Sequence, residues 1–270
     1  MPLSAPNGPT TKILGIVNVT RDSFSDGGLY LDPDNAVAHA RALFQSGAAM
    51  VDLGPASTHP DAEAVTALEE IRRLEPVVDA LAGVPLSIDT YLTQTQRWAM
   101  QAGVDAINDI QGFADPEFYP ELAAGDCTLI VMHSIQRGGK ATRAASDPAT
   151  IYTEVVAFFE RRIGDLVRAG VARERLVLDP GMGFFLGRDP NSSLAILRAL
   201  PRLRERFGLP VLVSVSRKSF LRRITGCELE QSGPPTLAAE LYCARQGADW
   251  IRTHDVGALS GGLAVQARLA

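Results

Sequence analysis

The sequence is poor in cysteine and has no long apolar run. Its three cysteines, Cys127, Cys227 and Cys243, are odd in number and widely separated. This spacing excludes both a disulfide framework and a cysteine-based zinc site, so we expect reduced, mostly structural thiols in a cytoplasmic protein. No apolar run approaches the length of about 18 residues that a membrane span requires. Residues 1–11 are polar and proline-rich, and we interpret them as a disordered N-terminal tail rather than a signal peptide.

Clustered positive charge is also missing. The chain carries 26 Lys and Arg against 31 Asp and Glu, giving a net charge of -5. A binder of phosphate backbones usually carries a basic patch, so no nucleic-acid partner is expected. The 270 residues are enough for one large domain. Because no linker or shift in composition divides the chain, we expect a single domain over residues 12–270.

What the sequence does contain is a regular alternation of short apolar runs with helical segments. Nearly continuous apolar runs are typical of parallel strands that are covered on both faces. The eight candidate strands are 12–19, 48–54, 85–89, 106–110, 127–133, 175–179, 210–216 and 249–255. The candidate helices are 33–45, 66–81, 93–102, 116–124, 148–169, 192–207, 235–246 and 258–270, most of them followed by glycine.

Eight such units in one chain predict an α/β fold, a closed (β/α)8 TIM barrel. A doubly wound open sheet is the alternative. It is disfavoured because no G-x-G-x-x-G motif follows the first strand.

Polar side chains stand at nearly every predicted strand end, where barrels of this kind place their chemistry. In chain order they are Asn18, Asp52, Asp89, Asn108, His133, Asp179, Ser216, Arg217, Lys218, Arg252 and His254. The carboxylates and amides suit a flat heterocycle rich in N–H donors, and the cations suit an anion such as phosphate. Asn18, with Asp22 and Ser23, offers oxygen ligands to a hard cation. For any single residue, a purely structural role at the strand end is equally compatible with its position.

One loop does not fit a surface position. The stretch "DPGMGFFLG" places Phe184, Phe185 and Leu186 directly after the strand that ends in Asp179. Loops usually avoid adjacent large apolar groups, so these side chains either line a binding site or cap the barrel interior. No Cys/His cluster and no nucleophile elbow accompanies them, which argues against zinc chemistry and acyl transfer.

The strand-end motifs, in order, resemble those of dihydropteroate synthase. They are "GIVNVTRDSFSDGG" (15–28), "GPASTHPDA" (54–62), "SIDT" (87–90), "INDI" (107–110), "VMH" (131–133), "LDPGMGF" (178–184), "SRKSFL" (216–221) and "IRTHDV" (251–256). The resemblance covers almost the whole chain. It implies a (β/α)8 barrel that joins 6-hydroxymethyl-7,8-dihydropterin pyrophosphate to p-aminobenzoate with Mg²⁺, and it implies a homodimer.

The resemblance also implies a role for each matching residue. Asn18 is implied as the ligand of magnesium and pyrophosphate, and it would be catalytic together with Arg252 and His254. His254 would also contact pyrophosphate. The implied pterin pocket consists of Asp89, Asn108, Asp179, Lys218 and Arg252. Thr58 is implied at both pyrophosphate and p-aminobenzoate, and Ser216 at p-aminobenzoate.

Three positions depart from the usual family pattern. Arg21 replaces a proline, His59 replaces an arginine, and "GMGFFLG" replaces a "GFGFGK"-like loop. These departures resemble the acquired, sulfonamide-insensitive synthases of bacteria, and we expect Phe184 or Phe185 to pack against the aminobenzoate ring. Two other functions stay open at this point: a non-catalytic pterin-binding protein, and a pterin-dependent methyltransferase domain.

Overall fold

The computed structural model describes residues 11–20, 32–56, 65–135 and 146–269. Outside these ranges lie Thr58, two of the three departures from the family pattern (Arg21 and His59), Asp22, Ser23 and the predicted tail apart from Thr11. The eight strands are β1 Lys12–Asn18, β2 Met50–Gly54, β3 Leu86–Asp89, β4 Ala106–Asp109, β5 Thr128–Met132, β6 Leu176–Asp179, β7 Leu212–Val213 and β8 Trp250–Thr253.

Helices follow the strands, most of them where the sequence predicts them. They are α1 Pro33–Gln45, α2 Ala67–Ala80, α3 Thr93–Gln101, α4 Tyr119–Ala124, α5 Ile151–Arg168, α6 Pro190–Arg198, α7 Leu200–Phe207, α8 Ser219–Thr225, α9 Gly233–Arg245 and α10 Val256–Leu269. Helix α1 begins where the Asp32 side chain accepts from Asp34 N, with proline next to the cap. Thr66 caps α2 by accepting from Glu69 N.

The strands pair in parallel in the order β6-β5-β4-β3-β2-β1-β8-β7. Strands β6 and β7 are joined only by an isolated bridge between Leu178 and Val211 and by the bond from Leu178 N to Pro210 O. The predicted closed barrel is therefore corrected to a nearly closed barrel with one weak seam. The seam arises because β7 has two residues instead of the predicted seven, and Pro210 has no N–H to extend the ladder.

The core has an outer and an inner part. The larger apolar cluster lies between the sheet and the surrounding helices. A separate cluster lines the inside of the barrel and consists of Leu14, Ala106, Ile130, Val177 and Leu212. Because alternate residues of a strand face the same side, the residues two positions further along point inward above this apolar floor. On β4 and β6 those residues are Asn108 and Asp179.

Several helical boundaries differ from the prediction by two or three residues, and three differences stand out. The predicted helix 192–207 is divided into α6 and α7, because Pro201 in the first turn of α7 cannot continue the helix before it. Helix α5 begins at Ile151, three residues after the predicted start. Helix α8 was not predicted, because its seven residues follow a polar segment that the sequence assigns to binding.

Candidate active site

Arg252 stands at the centre of a buried polar cluster at the carboxyl ends of the strands. Its Nε donates to Asp52 Oδ2 at 2.5 Å, and its Nη2 donates to Asp89 Oδ2 at 2.7 Å. Asn108 Nδ2 donates to the same Asp52 oxygen at 3.3 Å. Residues from four strands are thereby joined into one network.

Two oxygen atoms of this network have no hydrogen-bond partner within the described part of the chain. They are Asp52 Oδ1 and Asn108 Oδ1, and both are buried. Leaving a buried acceptor unpaired is costly, so such atoms are typical of a site that a donor-bearing ligand completes. These two unsatisfied acceptor oxygens indicate a ligand with N–H or O–H groups along one edge.

Burial alters the protonation of the ionisable groups around the cluster. Burial raises the pKa of Asp89 to about 7, against the opposing charge of Arg252. Burial likewise raises the pKa of Asp179 to about 6, although Gly181 N donates to Asp179 Oδ1 at 2.8 Å. The pKa of Lys218 falls to about 8, first because the amine is buried and second because Arg252 repels it. Shifts of this size are common at functional sites.

An apolar wall stands beside these charges. Ile110, Met132 and Phe185 are buried in contact with one another, and Tyr91 and Phe184 pack against them half-buried. The Lys218 amine lies 5.3 Å from the centroid of the Phe185 ring, within the range of a cation–π contact. The site therefore combines the polar Arg252 cluster, which lies above the apolar floor, with an aromatic side, as expected of a site for a flat heterocycle.

The wall is held in place by the turn that follows β6. At Gly181, whose φ is +72°, a Cβ atom would lie 2.3 Å from the carbonyl oxygen of His133. Only glycine fits there, so Asp179-Pro180-Gly181 turns sharply and leads into the one-turn helix Gly183–Leu186. His133 itself contacts Pro180 O through Nδ1 at 3.2 Å. Burial lowers the pKa of His133 to about 4, so this histidine is neutral and structural.

Ser216 and His254 form a second polar group at the same end of the barrel. Ser216 Oγ and His254 Nδ1 are 2.9 Å apart, and His254 N donates to Ser216 Oγ at 3.3 Å. Arg217 follows with φ +57° and its N donates to Thr236 Oγ1 at 3.1 Å, which orients the start of α8. This backbone geometry places Ser216 and Lys218 on either side of the bend.

Asn18 ends β1 beside Gly54 of β2. A Cβ added at Gly54 would lie 3.6 Å from Asn18 Oδ1, an ordinary van der Waals distance, so the Asn18 amide lies directly beside Gly54. Within the described ranges, no group of three or more His, Cys, Asp or Glu residues is arranged to hold a metal ion. No described helix is long and apolar enough to cross a membrane. The three cysteines are free, with Cys127 and Cys243 buried.

Comparison with known proteins assigns this architecture to a family. The family model described as pterin binding enzyme matches residues 14–254. The type-3 dihydropteroate synthase of Escherichia coli is 51% identical over 96% of this chain and 99% of its own length. The type-2 synthase of Escherichia coli is 54% identical over 95% of each chain.

The chain belongs to the dihydropteroate synthase family. It is therefore an enzyme, a transferase. The structure of the Xanthomonas albilineans dihydropteroate synthase with 4-aminobenzoic acid superimposes with a TM-score of 0.87 and 38% identity, over 96% of this chain and 93% of that one. The family prediction made from the strand-end motifs is thus confirmed.

For a dihydropteroate synthase, the structure brings together most of the residues singled out in the sequence. One cluster of interacting groups contains Asp89, Asn108, Asp179, Lys218 and Arg252, and Phe185 lies beside its lysine. Ser216 and His254 form the neighbouring pair. Asn18 shares the same end of the sheet.

The structure shows two buried acidic residues to which the sequence analysis assigned no role. The sequence shows Asp52 only as one of the polar strand ends and assigns it no role, yet it is fully buried under Arg252. Glu240 was not noticed, although it is buried on α9 beside Thr253. Its sequence signal was a lone acidic residue on the buried helical face formed by Thr236, Glu240 and Cys243.

Proposed function

We propose that this dihydropteroate synthase binds its pterin substrate in the Arg252 cluster and its p-aminobenzoate beside the Phe184–Phe185 wall. The reaction condenses 6-hydroxymethyl-7,8-dihydropterin pyrophosphate with p-aminobenzoate to give 7,8-dihydropteroate and pyrophosphate. The observation that carries the proposal is the pair of buried, unpartnered acceptors next to a buried cation and an aromatic wall.

The pterin is a flat ring with N–H donors on one edge. Ionised Asp179 can accept two of these donors, and Asn108 Oδ1 can accept another. Arg252 is held rigidly by two carboxylates, so its planar group can lie against the ring face. The ring is thereby fixed with its methylene carbon directed towards the mouth of the barrel.

The chemical step breaks the bond between that methylene carbon and the pyrophosphate oxygen and forms a bond to the amino nitrogen. Negative charge grows on the leaving pyrophosphate, and Lys218, Arg252 and His254 supply positive charge and N–H donors there. The amine of p-aminobenzoate is already nucleophilic, and after the C–N bond has formed it releases one proton to the departing pyrophosphate or to water. Orientation rather than a general base therefore accounts for the protein's contribution. We assign Asn18, Arg252 and His254 as the catalytic residues on this basis, with Ser216 at the aminobenzoate.

Magnesium suits the donor present at the end of β1. Asn18 Oδ1 is a hard oxygen ligand at the end of β1, beside Gly54 of β2. Mg²⁺ usually retains water and binds through one or two protein oxygens together with substrate phosphates, so a lone amide is a reasonable protein contribution. When bound, the ion would neutralise charge on the pyrophosphate. We propose Asn18 as its ligand from this chain, and Thr58, outside the described residues, as a further contact of pyrophosphate and aminobenzoate.

We further propose that the aromatic turn, the one-turn helix Gly183–Leu186 that carries Phe184 and Phe185, makes the enzyme poorly sensitive to sulfonamides. Phe185 is only 6% exposed and packs on Met132, whereas Phe184 beside it is half-buried. A wall fixed in this way narrows the space beside the aminobenzoate ring. A sulfonamide carries a tetrahedral sulfone and a ring substituent where the substrate has a flat carboxylate, so steric exclusion would reject the drug and retain the substrate.

A pyrophosphate-release assay with both substrates and Mg²⁺ tests the proposal, with and without a sulfonamide. We expect turnover, abolished in Arg252→Met, and weak inhibition that becomes stronger in Phe185→Leu. Phe207→Leu is the matched control, because Phe207 is buried to a similar degree in the outer core. Tight pterin binding without turnover would support a non-catalytic pterin-binding protein instead, and unchanged inhibition of Phe184→Leu and Phe185→Leu would refute the role of the wall.

The free cysteines are consistent with a reducing compartment, and we propose a cytoplasmic location on that basis. We also propose a homodimer, as implied by the family. Light scattering on the purified chain tests the oligomeric state directly, since a monomeric mass at working concentration would contradict it.

A further inference from the structure

Two serine hydroxyl groups hold the aromatic turn on the side that faces helix α6, one at each end of the turn. At its start, Gly183 N donates to Ser193 Oγ at 3.0 Å. At its end, Ser146 Oγ donates to Leu186 O. The reaction described above assigns no role to either serine.

Both serines are themselves fixed to the first turns of α6. Ser193 lies on that helix and is 1% exposed. Ser146 precedes α5, and its Oγ lies 2.8 Å from the Oγ of Ser192, a fully buried residue of α6. Because Ser146 gives its only hydroxyl proton to Leu186 O, Ser192 donates in this pair. Helix α6 is therefore the common support of both ends of the aromatic turn.

The backbone of the turn does not fix its own position. Gly183 and Gly187 stand at its two ends with φ of +64° and +103°, and glycine can adopt many other conformations there. A further bond from outside the turn runs from Ile135 N, just after β5, to Phe185 O at 3.1 Å. The aromatic turn is thus a short unit that is placed by bonds to its surroundings.

Loss of one anchoring bond changes how firmly the wall is held without changing the groups that line the site. One neutral hydrogen bond alters an equilibrium by a factor of about five. The fraction of molecules in which Phe184 and Phe185 are displaced would rise by that factor. A ligand that needs the wall displaced binds only to this fraction, so its dissociation constant falls by the same factor. A ligand that fits the wall in place is bound as before.

We propose that Ser146 and Ser193 are positioning residues for substrate selection, which keep the aromatic turn closed against bulkier analogues of p-aminobenzoate. They act through Phe184 and Phe185 rather than by contact with a substrate. This inference rests on the proposed exclusion of sulfonamides by the aromatic turn, and it assigns the rigidity of that turn to two hydroxyl groups behind it.

The experiment measures sulfonamide inhibition and substrate kinetics of Ser146→Ala and Ser193→Ala in the pyrophosphate-release assay. We expect the inhibition constant of the sulfonamide to fall about fivefold in each variant. The kcat and the KM for p-aminobenzoate should change by less than about twofold, because the substrate fits the wall in place. Ser146→Thr retains the hydroxyl at a half-buried position, so we expect it to keep the inhibition constant of the unaltered enzyme.

Ser232→Ala is the matched control. Ser232 is 1% exposed and its Oγ donates to Leu229 O at 2.5 Å, which is the same kind of bond as that of Ser146. No described contact links it to the aromatic turn. We expect Ser232→Ala to lose stability in urea unfolding as the other two variants do, but to keep the inhibition constant of the unaltered enzyme.

Hydrogen exchange of the Ile135 amide reports on the turn without any drug. Because this amide donates to Phe185 O, we expect it to exchange about fivefold faster in Ser146→Ala and Ser193→Ala, and at the unaltered rate in Ser232→Ala.

The Phe185→Leu variant separates this proposal from the proposed function. If Phe185→Leu is inhibited more strongly while both serine variants keep the unaltered inhibition constant, the positioning role is overturned and the role of the wall stands. An equal fall of the inhibition constant in Ser232→Ala also overturns it, because general loosening of the fold would then explain the effect. Unchanged inhibition of Phe185→Leu refutes the role of the wall, and the positioning role with it.

Discussion

The substitution Asp52→Asn tests whether Arg252 depends on the carboxylate beneath it. Asp52 is fully buried, and its Oδ2 accepts from Arg252 Nε at 2.5 Å and from Asn108 Nδ2 at 3.3 Å. Asparagine has nearly the same shape, so the substitution removes one negative charge and adds a donor without opening a cavity.

The expected loss of stability can be worked out from these contacts. Removing one partner of a buried ion pair typically costs about 3–5 kcal/mol, because the remaining charge is left uncompensated. Arg252 keeps its bond to Asp89 at 2.7 Å. The new amide can donate to Asn108 Oδ1, which otherwise has no partner among the described residues. Both facts place the expected loss at the low end, about 3 kcal/mol.

Urea unfolding gives the free energy of unfolding of each variant. A double-mutant cycle with Arg252→Met then gives the coupling energy between Asp52 and Arg252. Asp89→Asn is the matched comparison. The raised pKa of Asp89, about 7, means that its carboxyl is partly neutral at neutral pH, so its loss should cost less than the loss of Asp52. A loss below about 1 kcal/mol for Asp52→Asn, with no coupling in the cycle, would show that Arg252 is not held by Asp52.

Three further outcomes are expected. Because the pKa of Asp179 is about 6 and its ionised form accepts N–H donors, binding of 6-hydroxymethylpterin should strengthen as the pH rises through 6, and calorimetry on Asp179→Asn should find weak binding without this dependence. Because the pKa of Lys218 is about 8, binding of inorganic pyrophosphate should weaken above that pH, and Lys218→Arg should move the loss to higher pH. Arg204→Met removes a half-exposed bidentate bond to Asp249 at 2.8 and 2.9 Å and should cost about 1 kcal/mol in urea unfolding, whereas Asp249→Ala should cost more, because that carboxylate also accepts from Val211 N. Equal losses for the last two variants would contradict the added backbone bond.

Local chemistry made the strands and the polar pocket predictable. Nearly continuous apolar runs locate β4 and β6, and the alternation of side chains along a strand places Asn108 and Asp179 above the apolar floor. Since parallel strands share one carboxyl end, residues far apart in sequence could be assigned to one pocket before their distances were known.

Contacts between residues that are far apart in the sequence could not be predicted from the sequence. Asp52 reads as an ordinary strand end, and only its distance of 2.5 Å from Arg252, 200 residues later, identifies its partner. The weak seam was missed because an apolar run such as 210–216 does not reveal how much of it pairs with a neighbour. Glu240 was missed because helix periodicity gives the face of a residue but not the atom that it meets.

The seam between β6 and β7 has a consequence for how this barrel can evolve. Seven of the eight strand junctions are ladders that fix the loops above them, whereas this junction rests on one bridge. The loops after β6 and β7 carry the aromatic turn and Lys218, which face each other across it. An inserted or deleted residue there disturbs few backbone bonds between strands, so the two loops can change in length and reshape one side of the site. The network of Arg252, Asp52, Asp89 and Asn108 stays in register, because it lies on strands that are joined by ladders.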